Sequence, residues 1–383
     1  MKVLHVSQLG LPDWRVEKSA LTGINYGYRV FFAGNLLSDY HTNDSKIFEK
    51  LYKIEWPDSN YPKNQFLPYI LFGKTSIWNS VKKQIKEILD ELRPDIVHAH
   101  NLQSAKLISE FDVPMIYNDH EYWSIYIKRI YESKLLKDNG KFASKKKNFL
   151  YNRIIKIWSN WESDIVSKYP TIVTSKTTLN EMEQKYSKEI FLLPNFPKKN
   201  ETSMSHSPRF HDELTSVYAG IESLKGIPAH RNMIGLERVF DENDVGKLIL
   251  IGKTNFQPSE KVINKGFLLS RNDMYKEMSK CSIGLIPMKR VWSHKYINHN
   301  KPFEYAHAGL HVVCTSSYSD TINMLDNNCT TFENYDELVT HLLYFNDNKD
   351  ELYQKRIKIF NFAKEHLLWE KYEQNIIKAY KSI

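Results

Sequence analysis

The residues best suited to chemistry fall in three short stretches. In the first, Asn300, Lys301, Pro302, Phe303 and Glu304 precede the apolar run His311 to Cys314. Pro302 suits the first turn of a helix, and Asn300 can accept from its first free N–H groups. That helix start would offer unpaired donors and a positive dipole end to an anion. Glu304, one turn in, is placed to accept hydrogen bonds from a ribose, or else it simply favours the helix dipole. The residues alone leave both open. In the second stretch, His98 and His100 alternate with Ala99 and so share one face of a strand. Such a pair can ligate zinc, but no second cluster of His, Cys and Asp has metal-site spacing, so ligand-lining histidines are expected and no metal. In the third, Asp119, His120 and Glu121 crowd a turn after the apolar run Pro114 to Tyr117. A neutral imidazole at 120 can hydrogen-bond a sugar hydroxyl, and its conjugate acid can offset charge on a leaving phosphate. Held by Asp119 or Glu121, it would be an ordinary loop histidine. Arg15, near the end of the first strand's loop, is a cation for a phosphate or a solvated charge at a helix start.

The elements that must position these residues alternate regularly. Short apolar runs at Val3 to Val6, Tyr28 to Ala33, Asp95 to His98, Pro114 to Tyr117, Thr171 to Thr174 and Ile190 to Leu193 read as strands. Helical patterns at Arg15 to Tyr26, Ile77 to Leu92 and Thr177 to Tyr186 lie between them. Pro194, Asn195, Phe196 and Pro197 then lead into a polar tract from Lys198 to Arg209, the best linker in the chain. Beyond it the alternation restarts, with strands at Ser216 to Ala219, Lys247 to Ile251, Ser282 to Pro287 and His311 to Cys314. Helices are expected at Asn272 to Lys280, Lys301 to Ala308 and Tyr335 to Phe345, and a helical tail over Glu351 to Ile383. Strand–helix alternation of this kind predicts two doubly wound parallel α/β domains, 1–197 and 198–383, with ligands beyond the carboxyl ends of the strands and a final helix bracing both.

Several of these stretches resemble one family. Lys301, Phe303, Glu304, Tyr305 and Gly309 follow the K-x-FEY-x-x-x-G-x-x-V element of nucleotide-sugar glycosyltransferases of the GT-B fold, family four and its relatives. Asp13, Arg15 and Val16 are similar to the D-P-R-V start of one such group, with Trp14 in place of the proline. RPDIVHAH at Arg93 to His100 and the D-x-H-E loop at Asp119 to Glu121 are similar to family elements too. The resemblance implies metal-independent transfer of a sugar from a nucleoside-diphosphate donor, without a cofactor. A UDP-sugar is favoured and a GDP-sugar is the competitor, with a glycan or lipid-linked acceptor in cell-surface glycan or glycoconjugate synthesis. It assigns Glu304 to the donor ribose, His120 to the donor sugar, and a lysine matching Lys225 to the diphosphate. Two departures stand out. Ile221 occupies the position where relatives place a diphosphate arginine, which passes that task to Lys301, Lys289 and Arg290. In the E-x7-E signature of retaining members, Tyr296 replaces the first glutamate, so Asn298, His299 and Asn300 become candidates for the sugar hydroxyls, and retention of configuration rests on the remainder of the pattern. The rival readings are a nucleotide-sugar 2-epimerase of the same fold and a non-catalytic nucleotide-sugar-binding protein.

Composition narrows the partners. Across 383 residues the formal charge is +8, which admits nucleic acid, an anionic membrane or a phosphorylated ligand. No zinc-finger spacing, RNP aromatics or helix-turn-helix pattern supports nucleic acid. Neither G-x-G-x-x-G nor a P-loop occurs, which argues against dehydrogenases and P-loop enzymes. The basic, aromatic stretch from Ile125 to Trp161, including Lys128, Arg129, Arg153, Lys156, Trp158 and Trp161, predicts either contact with an anionic membrane surface or a solvated helix pair with its tryptophans in the core. The expected location is cytoplasmic, peripheral at the membrane face. Cys281, Cys314 and Cys329 lack C-x-x-C spacing and are expected as buried free thiols.

Overall fold

A computed structural model describes residues 1–36, 47–56, 76–137, 143–202, 207–220, 229–268 and 270–383. The chain forms two compact units, Met1–Leu193 together with Tyr372–Ile383, and Pro194–Lys371. The tail is thus shared out: the helix Lys349–His366 belongs to the second unit and the helix Gln374–Lys381 to the first. From the sequence the expectation is a second domain over 198–383 with a final helix bracing both.

The first unit is built on seven strands: β1 (Lys2–Leu11), β2 (Arg29–Leu36), β3 (Lys50–Lys53), β4 (Ile96–His100), β5 (Met115–Asp119), β6 (Thr171–Val173) and β7 (Phe191–Leu192). Their order is β3-β2-β1-β4-β5-β6-β7, and every pairing is parallel. A parallel sheet is covered by helices on both faces, which is why β1, β4 and β5 are buried along almost their whole length. One face carries Leu4, Val6, Val97, Ala99, Met115 and Tyr117 into the apolar core. The other carries His5, His98 and His100. The order reverses between β1 and β4, and in sheets of this kind that reversal opens the ligand-binding edge.

The second unit repeats the plan with β8 (Thr215–Ala219), β9 (Lys247–Ile251), β10 (Val262–Gly266), β11 (Ile283–Ile286), β12 (His311–Thr315) and β13 (Cys329–Phe332), in the order β10-β9-β8-β11-β12-β13 and again all parallel. The reversal falls between β8 and β11. Arg356, fully buried on the helix Lys349–His366, donates to the carbonyls of Gly309 at 2.8 Å, Arg209 at 2.8 Å and Cys281 at 3.3 Å. One guanidinium thereby satisfies three backbone acceptors that would otherwise be buried unpaired.

Three strands and three helices, Asn101–Ile108, Leu236–Asp241 and Ser319–Met324, escaped the sequence reading. β3 (KLYK) is a polar edge strand and β10 (VINKG) is mostly half-exposed, so neither has an apolar run; β13 (CTTF) is short. The helix Asn101–Ile108 follows β4 directly and has no side-chain cap to announce it. The basic stretch resolves in favour of packing for most of its aromatics. Trp123, Tyr131, Trp158 and Trp161 lie in the core, with Trp123 and Trp158 stacked at 5.5 Å, and Arg129 is buried over Tyr126. Phe149 and Leu150 remain exposed, at 70% and 41%. Among the described residues no helix is long and apolar enough to cross a membrane.

Candidate functional site

In the first unit the parallel register sets His5 beside His98 and Ser7 beside His100, while Asn118 of β5 pairs with His100. Residues paired in register point to the same side, so one face at the point of strand reversal collects three histidines. All three are fully buried. His98 and His100 stack at 4.2 Å with planes 11° apart, and His5 stacks on both. His5 Nδ1 is hydrogen-bonded to His100 Nε2 at 3.0 Å, and His100 Nδ1 to His120 Nε2 at 3.0 Å. His98 is held between Tyr380 Oη at 2.8 Å and Asn118 Nδ2 at 3.0 Å. Burial pushes the imidazoles of His5 and His120 down to about 3, and those of His98 and His100 well below their ordinary value, so the cluster is neutral. Ligand atoms of His5, His98 and His100 lie within 4.8 Å of one another, but both nitrogens of His98 and of His100 already have protein partners. Binding a metal there would break those hydrogen bonds.

His120 sits beside an ionic pair. Asp13 caps the helix Trp14–Asn25, accepting from the Arg15 N–H at 2.9 Å, and its carboxylate lies 3.6 Å from Arg15 Nε. Asp13 and Arg15 both act electrostatically on His120, the arginine lowering and the aspartate raising its proton affinity. His120 Nδ1 is buried and has no hydrogen-bond partner among the described residues. Leaving such a buried atom unpaired costs about 1–3 kcal/mol. The expected residues Arg15, His100 and His120 are therefore assembled, and His5 joins them unannounced.

Asp119 is a correction. It alternates with Asn118 on β5, so its side chain turns to the opposite, apolar face. There it accepts from Tyr117 Oη at 2.7 Å. Burial, and then the neighbouring Glu162 carboxylate, raise its proton affinity well above the usual range, while burial lifts Glu162 to about 7. Asp119 is a core carboxyl rather than a ligand-facing one. Glu121 is half-buried.

In the second unit the helix Lys301–His307 begins with Pro302 in its first turn, as expected. Asn300 does not cap it through its side chain; its carbonyl accepts from the Phe303 and Glu304 N–H groups at 3.2 and 3.0 Å. The Tyr305 hydroxyl accepts from Ala219 N–H at 2.8 Å, tying this helix to the end of β8. Lys301 then lies across Gly220. A Cβ on Gly220 would run into Lys301 Cε and stand 2.8 Å from Tyr218 Oη, so only glycine admits the lysine there. Burial lowers the Lys301 ammonium below its ordinary range, Glu304 opposes that shift, and Arg231 adds to it. His299 is likewise held neutral by burial and by the charges of Lys301 and Arg231. Glu304, 5% exposed, is paired with Arg271 Nη1 at 3.2 Å. Arg271 opens the helix Arg271–Met278, and Arg271 also lies 3.6 Å from Glu201.

Other expected residues serve elsewhere. Phe303 is fully buried, edge-on to Phe196 at 4.6 Å. Asn298 accepts from the Asn195 N–H at 2.9 Å through Oδ1 and from Asn195 Nδ2 at 2.6 Å through its carbonyl, so it fastens the linker rather than facing a sugar. Arg290 is half-exposed and paired with Glu333, and Lys289 lies over the Tyr335 ring at 5.7 Å. Lys225 and Ile221 lie outside the described residues. Arg271 and Arg231 were missed because they come from segments with no motif; only the fold brings them to Glu304 and Lys301.

Two consecutive doubly wound units, each with one reversal of strand order, are the GT-B architecture. Comparison with solved structures supports that fold. The chain is similar over its full length to sucrose-phosphate synthase from Thermosynechococcus elongatus, with a TM-score of 0.73, 11% identity and 98% of that chain covered. It is similar to HepE from Anabaena in complex with UDP, at TM-score 0.64 and 14% identity with both chains covered completely; HepE is also solved with UDP-glucose. It resembles WaaG, a glycosyltransferase involved in lipopolysaccharide biosynthesis, at TM-score 0.60 and 14% identity over 98% of this chain and 99% of the other. No protein-family model and no curated protein sequence matches the chain.

Proposed function

We propose that this protein transfers a glycosyl group from a nucleoside-diphosphate sugar to an acceptor hydroxyl. The observation that carries the reading is the pairing of Lys301, laid over Gly220 beyond β8, with Glu304, held by Arg271 one turn along the same helix. It joins a cation for the diphosphate to a carboxylate for the ribose at the edge where a sheet of this order binds ligands. Arg231 and His299 add donors beside Lys301, in place of the arginine that Ile221 replaces. Mutual repulsion among these cations is relieved when an anion binds, so the site is preorganised for phosphate. UDP is the favoured base carrier, consistent with the UDP complexes of HepE, and His120 serves the transferred sugar. Transfer is proposed to proceed with retention of configuration.

The acceptor is proposed to be a glycan or a lipid-linked glycan. Phe149, Leu150, Arg153 and Lys156 form an exposed apolar and basic strip on the helix Ala143–Lys168, suited to anionic headgroups. The test is a panel of UDP- and GDP-sugars, scored by thermal shift and then by release of free nucleoside diphosphate with candidate acceptors. A shift abolished by Glu304→Ala supports the donor site. Product without net nucleotide release would indicate an epimerase, and binding without turnover across acceptors a binding protein.

A further inference from the structure

The imidazoles of His5, His100 and His120 form one unbranched chain in the first unit: His5 Nδ1 to His100 Nε2, then His100 Nδ1 to His120 Nε2, each at 3.0 Å. Every ring is at least nine-tenths buried. The two end atoms, His5 Nε2 and His120 Nδ1, have no hydrogen-bond partner among the described residues. A neutral imidazole carries one proton, on one nitrogen, and offers a lone pair at the other. Each link needs one donor and one acceptor. If His100 donates from Nδ1, then His120 must accept at Nε2 and carry its own proton on Nδ1, while His100 Nε2 must receive the proton of His5 Nδ1. If His100 donates from Nε2, each ring is reversed. Only two arrangements satisfy both links: all three rings protonated on Nδ1, or all three on Nε2.

We propose that His5 and His100 are positioning residues that set the tautomer of His120, so that the three rings always share one tautomer and switch together. A ligand oxygen that accepts from His120 Nδ1 selects the first arrangement, and a ligand hydroxyl that donates to it selects the second. Conversion from one arrangement to the other keeps one proton on each ring: His5 Nε2 gives up or regains a proton by exchange with water, and His120 Nδ1 takes up or releases one from water in turn. His98 stands outside it: Asn118 Nδ2 donates to its Nε2, which leaves its Nδ1 proton for Tyr380 Oη. Asp13 and Arg15 face His120, and His98 and Phe48 flank His5, so no other described acid or base contacts the ends. The functional part of this inference rests on the proposed use of His120; the tautomer rule does not.

The test is 15N spectroscopy of the full-length protein labelled on histidine, with His5, His100 and His120 assigned through single His→Gln variants. The expected result is two 15N–15N couplings across hydrogen bonds, one per link, and the same protonated nitrogen type in all three rings. In His5→Gln the His100 and His120 rings should still share one tautomer through their own link, but its population should change at both, although residue 5 is two rings away from His120. Mixed tautomers in the wild type, or no coupling on either link, would overturn the rule. If transfer is detected, His5→Gln should lower kcat about tenfold with donor KM unchanged, whereas a merely structural role would change stability and leave the His120 spectrum alone. If no transfer is found with any acceptor, the proposed function fails while the couplings still decide the rule.

Discussion

Arg271 and Glu304 offer the sharpest test of the nucleotide site proposed for the second unit. Their charged atoms are 3.2 Å apart, a gross attraction of about 5 kcal/mol at an effective dielectric of ~20. The Arg271 side chain is 34% exposed while Glu304 is nearly buried, so solvent screening on one side and desolvation on the other leave roughly 1–2 kcal/mol net. Arg271→Met should therefore lower the melting point of this unit by roughly 2–8 °C. Glu304→Gln exchanges a charged acceptor for a neutral one toward the ribose, a loss of about 1–1.5 kcal/mol or roughly five- to tenfold in donor affinity. If the arginine acts by holding the carboxylate in place, Arg271→Met alone should weaken the donor by about the same factor, and the double variant should be no weaker than Glu304→Gln. The assay is calorimetric titration of the nucleoside diphosphate into all four proteins, with melting points in parallel. Additive losses in the double variant, or a melting point that falls while affinity stays unchanged, would refute the argument.

Three further outcomes are expected. The histidines held near 3 in the first unit are neutral when folded but titrate near 6.5 when unfolded, so the unfolded state alone gains protons as pH falls through that window; stability is complete above about 6.5 and is lost at about 1.4 kcal/mol per pH unit for each such ring. Urea midpoints measured from pH 7 to pH 5 should fall, and more gently in His120→Asn. Gly252, at φ +124, and Gly220 separate stability from binding: a Cβ on Gly252 overlaps the Gly220 backbone carbonyl, whereas one on Gly220 meets chiefly the movable end of Lys301. Gly252→Ala should cost more than about 3 kcal/mol by chemical denaturation, and Gly220→Ala should leave the fold largely intact while weakening nucleotide binding. Phe149→Ser with Arg153→Glu should abolish salt-sensitive sedimentation with anionic vesicles and leave nucleotide affinity unchanged; no wild-type binding would retire the membrane contact.

Much of this architecture is written locally. Runs such as KVLHVS, IVHAH and KLILI are apolar because parallel strands are covered on both faces, and their spacing with helical stretches suffices to announce two doubly wound units. Pro302 and Glu304 are readable because a helix start has chemical needs that a few adjacent residues must meet. What local sequence could not convey was direction and company. Asp119 looked like a partner of His120, yet one step along a strand turns a side chain to the other face, and the register with β4 and β6 made it a core acid. Asn298 and Phe303 looked like donor contacts until Asn195 and Phe196, distant in sequence, claimed them. Arg271, Arg231 and His5 carry no motif, since their roles arise from neighbours supplied by other strands and helices. The fold class thus follows from the sequence by itself, because periodicity acts over a few residues. Which groups meet, and in which protonation state, was decided by the tertiary structure, because register, burial and the approach of unlike segments are properties of the packed chain alone.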